Sequence, residues 1–246
     1  MKLKLHLFYC LFFLNASIFS QSNHSGIIHY ESTISSKKLD EYLTKKREDL
    51  KYKGGTVKML DKVFLNTKSI KSKLTFSNGK GLFIVEDKLN INEHDLGQKV
   101  NRINAGGSKI FYYNLKNKTY LIKNCETLGE CFIYTNKHLE WVLTQEIKKI
   151  NGFLSYKATR NNGEIIAWYT PSIPVSFGPK GEYGLPGLIL ELEIGKIIFK
   201  ANKIELNTKT EIKVEELKGG KRISYEEYIK KINKVKESIF GKGAKN

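Results

Sequence analysis

The chain has 246 residues, and its 42 Lys and Arg against 25 Asp and Glu give a formal net charge of +17 at pH 7. That length allows one large domain or two small ones. A strong positive charge can serve nucleic acid or an anionic surface, but the lysines are spread along the whole chain. We therefore predict no nucleic-acid partner.

The first twenty residues have the organisation of an export signal. Lys2 and Lys4 precede a mostly apolar run over 5–14, and mostly small or polar residues follow up to Ser20. We predict that residues 1–20 are a signal peptide and that residues 21–246 form a single mature domain. No later segment approaches the length of a membrane span, so no transmembrane span is expected after processing.

The first half of the mature chain begins with a predicted strand at 26–34. A charged segment at 37–50 carries apolar residues at the spacing of one helical face. Residues 56–66 are ambiguous between helix and strand. Asn78-Gly79 between two apolar runs is a strong β-hairpin signal. Residues 88–107 are polar and contain glycine, which predicts a long loop.

The second half has the short apolar runs of further strands. We predict them near 108–115, 118–123, 131–135, 139–150, 164–170, 188–194, 197–206 and 209–217, with turns at Asn161-Asn162-Gly163 and Gly195-Lys196. Ser224 and Glu227 have the spacing of a capping box, and an apolar stripe follows. The chain is therefore expected to end in a helix that stops at Gly241.

About ten strands with one early and one late helix indicate an α+β, mainly β protein. We predict one large, curved antiparallel sheet, shaped like a half-barrel, with the early and C-terminal helices against its concave side. The sequence has no internal repeat and no domain linker.

Two cysteines remain once the signal segment is removed, Cys125 and Cys131. Paired cysteines are the usual state in an exported chain, so we predict a disulfide that closes a small loop, with free thiols as the alternative. A zinc site would need four ligands, and no second pair or flanking histidine is present. The histidines of the mature chain are scattered, and we assign no catalytic, metal-binding or cofactor-binding residue.

The four prolines of the chain all fall within sixteen residues, from Pro171 to Pro186, and glycines are interspersed among them. Proline fixes φ and glycine permits unusual backbone conformations, so this path is closely specified. It contains no evident nucleophile, base or metal-ligand set. Two interpretations stand: a structural crossing between two core strands, or a rigid docking edge that presents aromatic side chains to a partner.

The hexapeptide from Gly184 to Ile189 resembles the motif of the GLPGLI family, exported proteins of Bacteroidota without an established activity. Trp141 and the segments 167–170 and 173–175 agree with this resemblance. It implies a genetic association with TonB-dependent outer-membrane receptors. The signature residues, either structural or docking, are Trp168, Pro174, Gly178, Pro179, Gly184, Leu185, Pro186 and Gly187.

The function favoured by the sequence is that of a non-enzymatic binding or accessory protein of the periplasm or the outer-membrane periphery. Its partner would be an outer-membrane receptor, another envelope protein, or an apolar ligand held in the concavity of the sheet. An apolar carrier would need a continuous cavity of roughly several hundred Å³. A hydrolase or other enzyme with an unrecognised site and a purely structural envelope component are the alternatives.

Overall fold

A computed structural model describes residues 25–35, 39–45, 48, 67–86, 96–135, 140–208 and 210–241. They form one open sheet of twelve strands. The predicted signal peptide and residues 56–66 lie outside the described residues. The strands are β1 Gly26–Ile34, β2 Ile70–Ser77, β3 Lys80–Val85, β4 Ile110–Asn114, β5 Thr119–Asn124, β6 Phe132–Thr135, β7 Val142–Ile150, β8 Phe153–Arg160, β9 Ile165–Thr170, β10 Leu188–Ile194, β11 Ile197–Leu206 and β12 Lys221–Ile223.

The strand order is β12-β6-β5-β4-β3-β2-β1-β11-β10-β9-β8-β7. Most neighbours are consecutive in sequence and antiparallel, as short turns require. β1 is different, because it lies between β2 and β11 in the middle of the sheet. The mainly β prediction is confirmed, but the sheet is mixed, since β12 pairs parallel with β6.

The predicted β-hairpins form at the predicted turn residues. Asn78 and Gly79 both have positive φ between β2 and β3, and Asn161 to Gly163 do the same between β8 and β9. Gly195 has φ +59° at the turn from β10 to β11. Asparagine and glycine tolerate this backbone region best, so these residues set the turns.

The two faces of the sheet are covered differently. The inner face carries Ile28, Phe83, Tyr113, Phe199 and the other members of one large buried cluster. On the outer face, a small cluster joins Tyr112, Leu121, Ile133 and Leu217. Residues 209–217 were predicted as a strand, and that prediction is wrong over the described part, 210–217. Over its described residues this segment forms no strand, and Leu217 packs against the outer face.

Helix α1 spans Leu96–Ala105, within the segment predicted as a loop. The prediction failed because this helix has few apolar residues, and only one face is anchored. Ala105 joins the inner core, while Gln98 and Asn101 bond the Lys68 backbone. The predicted early helix is confirmed over 39–45, where Leu39 and Leu43 are buried.

Helix α2 spans Tyr225–Phe240 and packs on the inner face of β5 and β6. Ser224 caps it as predicted, since its side chain accepts a hydrogen bond from the Glu227 backbone N–H at 3.0 Å. Tyr228 stacks on Tyr134 with ring centroids 4.0 Å apart. These contacts fix α2 at one end of the sheet. Among the described helices, none is long and apolar enough to cross a bilayer.

The predicted disulfide is present between Cys125 and Cys131 and closes the connection from β5 to β6. The Asn124 side chain makes hydrogen bonds within the same loop and to α2. Its amide donates to Thr127 Oγ1 and to the Tyr228 hydroxyl, each at 2.8 Å, and its carbonyl oxygen accepts the backbone N–H of Glu126. The disulfide and the Asn124 hydrogen bonds thus fix the conformation of the loop, and the bond to Tyr228 connects it to α2.

Candidate functional site

The connection from β9 to β10 is the signature segment, defined here as residues 171–187. Its side chains divide into two series by burial. The inward series is buried against the inner face of the sheet and comprises Ile173, Val175, Phe177, Tyr183 and Leu185. The outward series is exposed and comprises Pro171, Ser172, Pro174, Gly184 and Pro186. The segment therefore has one face in the core and one face in solvent.

The segment folds back on itself before it enters β10. Pro179–Gly181 form a single 3₁₀ turn, and Phe177 and Tyr183 form an antiparallel bridge across it. The Ile189 N–H donates to the Phe177 carbonyl at 3.1 Å, so the start of β10 continues the same hydrogen-bonded unit. The predicted crossing between two strands is thus a compact hairpin.

The inward aromatics reach strands that lie far away in the sheet order. The Phe177 ring stacks on Tyr113 of β4 with centroids 4.7 Å apart, and Tyr183 stacks on Tyr120 of β5 at 3.6 Å. Because β4 and β5 lie on the other side of β1 from β9 and β10, the sheet must curve around the segment. The segment fills the concavity that this curvature creates.

Three side-chain donors hold the backbone of the segment and of the start of β10, and the two tyrosines among them are buried. The Tyr30 hydroxyl donates to the Ile189 carbonyl at 2.7 Å, and the Tyr113 hydroxyl to the Gly178 carbonyl at 3.1 Å. Trp141, just before β7, donates its indole N–H to the Tyr183 carbonyl at 2.8 Å. Burial raises the pKa of both Tyr30 and Tyr113, so these hydroxyls remain neutral donors.

Two signature glycines are required by close backbone approach. At Gly187, φ is +155°, and a Cβ would overlap the Thr170 carbonyl. At Gly178, a Cβ would lie 2.6 Å from the Ile189 side chain. No L side chain fits at either place without movement of the backbone or the core, which gives a structural reason for both residues.

A largely buried ion pair lies next to the 3₁₀ turn, with Glu182 buried and Arg160 half-buried. Arg160 of β8 bonds Glu182 at 2.5 Å, and the Trp141 ring covers the guanidinium with its centroid 5.1 Å away. Burial raises the pKa of Glu182, and the attraction of Arg160 opposes that rise in part. Buried carboxylates with raised pKa values mark candidate catalytic groups. Here the carboxylate is closed in by Arg160, so the geometry fits a structural pair.

The outward series is rigid as well as exposed. Pro174 and Pro186 stand in solvent on a backbone that the inward series anchors on both sides. Trp168 lies apart from them on the outer face of β9, where the Lys148 ammonium sits 4.2 Å above its ring and bonds Glu191. The structure therefore separates Trp168 from the other signature residues.

The predicted signature residues thus take different positions. Gly178, Pro179, Leu185 and Gly187 are buried, whereas Pro174, Gly184 and Pro186 are exposed. Arg160, Glu182, Tyr113 and Tyr120 also contribute to the site, and no sequence motif marks them. The aromatics of β4 are consecutive, so they do not distinguish the two faces of the strand, and nothing local shows that Tyr113 and Tyr120 meet a segment about sixty residues further on.

Two hollows on the surface of the described residues lie away from the signature segment. One, of about 350 Å³, is lined by Asn151, Phe153, Asn202, Ile204 and Leu206. The other, of about 620 Å³, lies between the β8–β9 and β10–β11 turns beside Glu164 and Ile165. Glu182 lines neither. Within the described ranges, no group of three His, Cys, Asp or Glu side chains is placed to hold a metal ion.

Residues 159–191, which include the signature segment, match a family model described as a protein of unknown function (Porph_ging). No curated protein matches the chain. Two crystal structures of PNGF-II, in space groups P21 and C2, are similar, each at 18% identity. The TM-scores are 0.49 and 0.48, with 87% and 86% of this chain covered. The chain spans about a third of the length of those structures, 34% and 33% respectively.

Proposed function

We propose that this chain is an exported, non-enzymatic binding or accessory protein of the cell envelope, and that a protein partner docks on the outward series of the signature segment. The observation that carries the proposal is the division of that segment into a buried and an exposed series. The inward side chains are sufficient to explain the buried glycines and Leu185. They do not explain prolines that stand in solvent.

Exposed prolines on an anchored backbone suit recognition. Proline has little conformational entropy to lose, and the inward series fixes the segment before any partner arrives, so binding costs little ordering. The resulting edge is short and preorganised, as in other proline-containing recognition surfaces. An envelope protein such as an outer-membrane receptor of the TonB-dependent class is the partner that the sequence resemblance favours.

Export is supported by the apolar N-terminal run and by the disulfide, since disulfides persist in oxidising compartments. An apolar ligand in the concavity is less well supported, because Phe177, Tyr183 and Leu185 occupy that space. The enzyme alternative has Glu182 as its strongest residue, and that carboxylate is engaged by Arg160.

The test is affinity capture of the mature chain from its own envelope fraction, with captured proteins and lipids both identified. The double variant Pro174→Ala/Pro186→Ala changes only exposed side chains. We expect it to retain the wild-type midpoint of urea unfolding and to lose most of the captured protein. The matched control is Ile103→Ala/Val235→Ala, which likewise truncates two exposed apolar side chains but lies on α1 and α2, outside the signature segment.

Three results would contradict the proposal. A lipid that co-purifies at one molecule per chain would favour the carrier. Capture of the same protein by wild type and double variant would place docking elsewhere. Recovery of no specific partner from any fraction would favour the structural component.

A further inference from the structure

Strand β7 forms one end of the sheet and carries an unusual amount of exposed apolar surface. Among the described residues, it pairs only with β8. Val142, Leu143 and Ile147 are 66%, 55% and 58% exposed, and Leu154 on β8 is also exposed. A long edge strand of this kind offers both unpaired backbone groups and apolar side chains to another strand.

The side chains of β7 are also self-complementary in charge. Around Ile147 the sequence is Glu146-Ile147-Lys148. In an antiparallel pair of two copies centred on Ile147, each Glu146 lies opposite the partner copy's Lys148, and Ile147 lies opposite itself. A pair centred on Glu146 or on Lys148 would instead oppose like charges.

We propose that two copies of this chain associate through antiparallel pairing of β7 with β7, centred on Ile147. On the inner face, Ile147 is the cross-strand neighbour of Tyr156, which is the neighbour of Tyr169. The pairing extends this row across the two-fold axis and covers both copies of Ile147. The two sheets then form one continuous sheet with closed two-fold symmetry.

The outer face gains alternating charges from the same register. Within one chain, Glu146 bonds Lys157 at 2.8 Å and Lys148 bonds Glu191 at 3.0 Å. Pairing places Lys148 of the second copy beside Glu146, so that the row alternates in sign from Lys157 to the second copy's Glu191.

The register of β7 with β8 shifts between Leu143 and Ile147, which shortens the regular edge. The interface is small, and its dimer dissociates on dilution.

Sedimentation equilibrium of residues 21–246 tests this proposal over a range of protein concentrations. We expect a monomer–dimer equilibrium for wild type and a monomer for Ile147→Lys. The matched control, Ile103→Lys, adds the same charge at a similarly exposed apolar position on α1 and retains the dimer. Far-UV circular dichroism checks that each variant is folded.

Charge variants test the register itself. Glu146→Lys alone and Lys148→Glu alone each place like charges opposite each other, and both are expected to be monomeric. An equal mixture of these two variants restores both attractive pairs, so a heterodimer is expected. A wild-type chain that is monomeric up to its solubility limit would overturn the proposal, as would a dimer that Ile147→Lys leaves intact. Failure of the mixed variants to associate would overturn the register.

Discussion

Gly187 shows how a single residue secures the signature segment. Its φ of +155° lies in a region that L side chains rarely adopt, and the Thr170 carbonyl occupies the place of a Cβ. We predict that Gly187→Ala lowers the free energy of unfolding by roughly 2–4 kcal/mol, from backbone strain and overlap together. Urea unfolding followed by circular dichroism measures this change.

The matched control is Gly195→Ala in the β10–β11 turn. Gly195 also has positive φ, at +59°, but a Cβ there would meet nothing within 4 Å. This variant should lose about 1 kcal/mol, the cost of a left-handed L residue alone. Equal losses in the two variants would mean that the contact with Thr170 is unimportant.

Glu182 gives a prediction for pH dependence. Burial raises its pKa, so between the unfolded and folded pKa values the folded state holds more protons than the unfolded state. The stability of wild type relative to Glu182→Gln should therefore fall as pH rises from about 4 to about 7. Urea unfolding of both proteins across this range measures the difference. A relative gain with rising pH would show that the attraction of Arg160 outweighs burial.

At the scale of elements, local patterns predicted the strands and turns well. Asn78-Gly79, Gly195 and Ser224 each act within a few residues, so their sequence context was sufficient. Helix α1 and residues 210–217 were mispredicted because their conformations depend on distant contacts. Gln98 and Asn101 bond the Lys68 backbone, and Leu217 packs on β5 and β6.

For the signature segment, too, the local sequence predicts the backbone path but not the distant contacts. Its prolines and glycines correctly indicate a specified backbone path between two strands. Its position inside the sheet follows from Tyr113 and Tyr120, and the sequence contains no local sign of that contact. The pair of Arg160 and Glu182 could not be predicted, because each residue taken alone resembles an ordinary surface charge.

At the scale of the whole molecule, the position of β1 makes the sheet dependent on a late part of the chain. β1 pairs with β11 along its entire length, from Gly26 opposite Leu206 to Ile34 opposite Ile197. Until β11 is present, β1 and β10 each have an open edge in the centre of the sheet. The two halves are therefore expected to fold as one unit.

A chain of residues 21–194 tests this dependence, because it keeps ten strands and lacks β11, β12 and α2. We predict that it shows no cooperative urea transition and that it aggregates through the exposed edges. A chain of residues 21–241 is the control and should unfold as the full mature chain does. A cooperative transition in the shorter chain would show that the first ten strands form an independent folding unit.

The placement of the tryptophans has a practical consequence. The chain has two, Trp141 and Trp168, and both lie in the part of the sheet formed by β7 to β10. The Trp141 indole donates a hydrogen bond to the signature segment and lies against the Arg160 guanidinium. The Trp168 ring lies on the outer face of the sheet, beneath the Lys148 ammonium. Selective excitation of tryptophan therefore observes only this corner, whereas circular dichroism observes every strand. Coincidence of the two signals during unfolding would be a direct measure of whether the corner and the remaining sheet melt together.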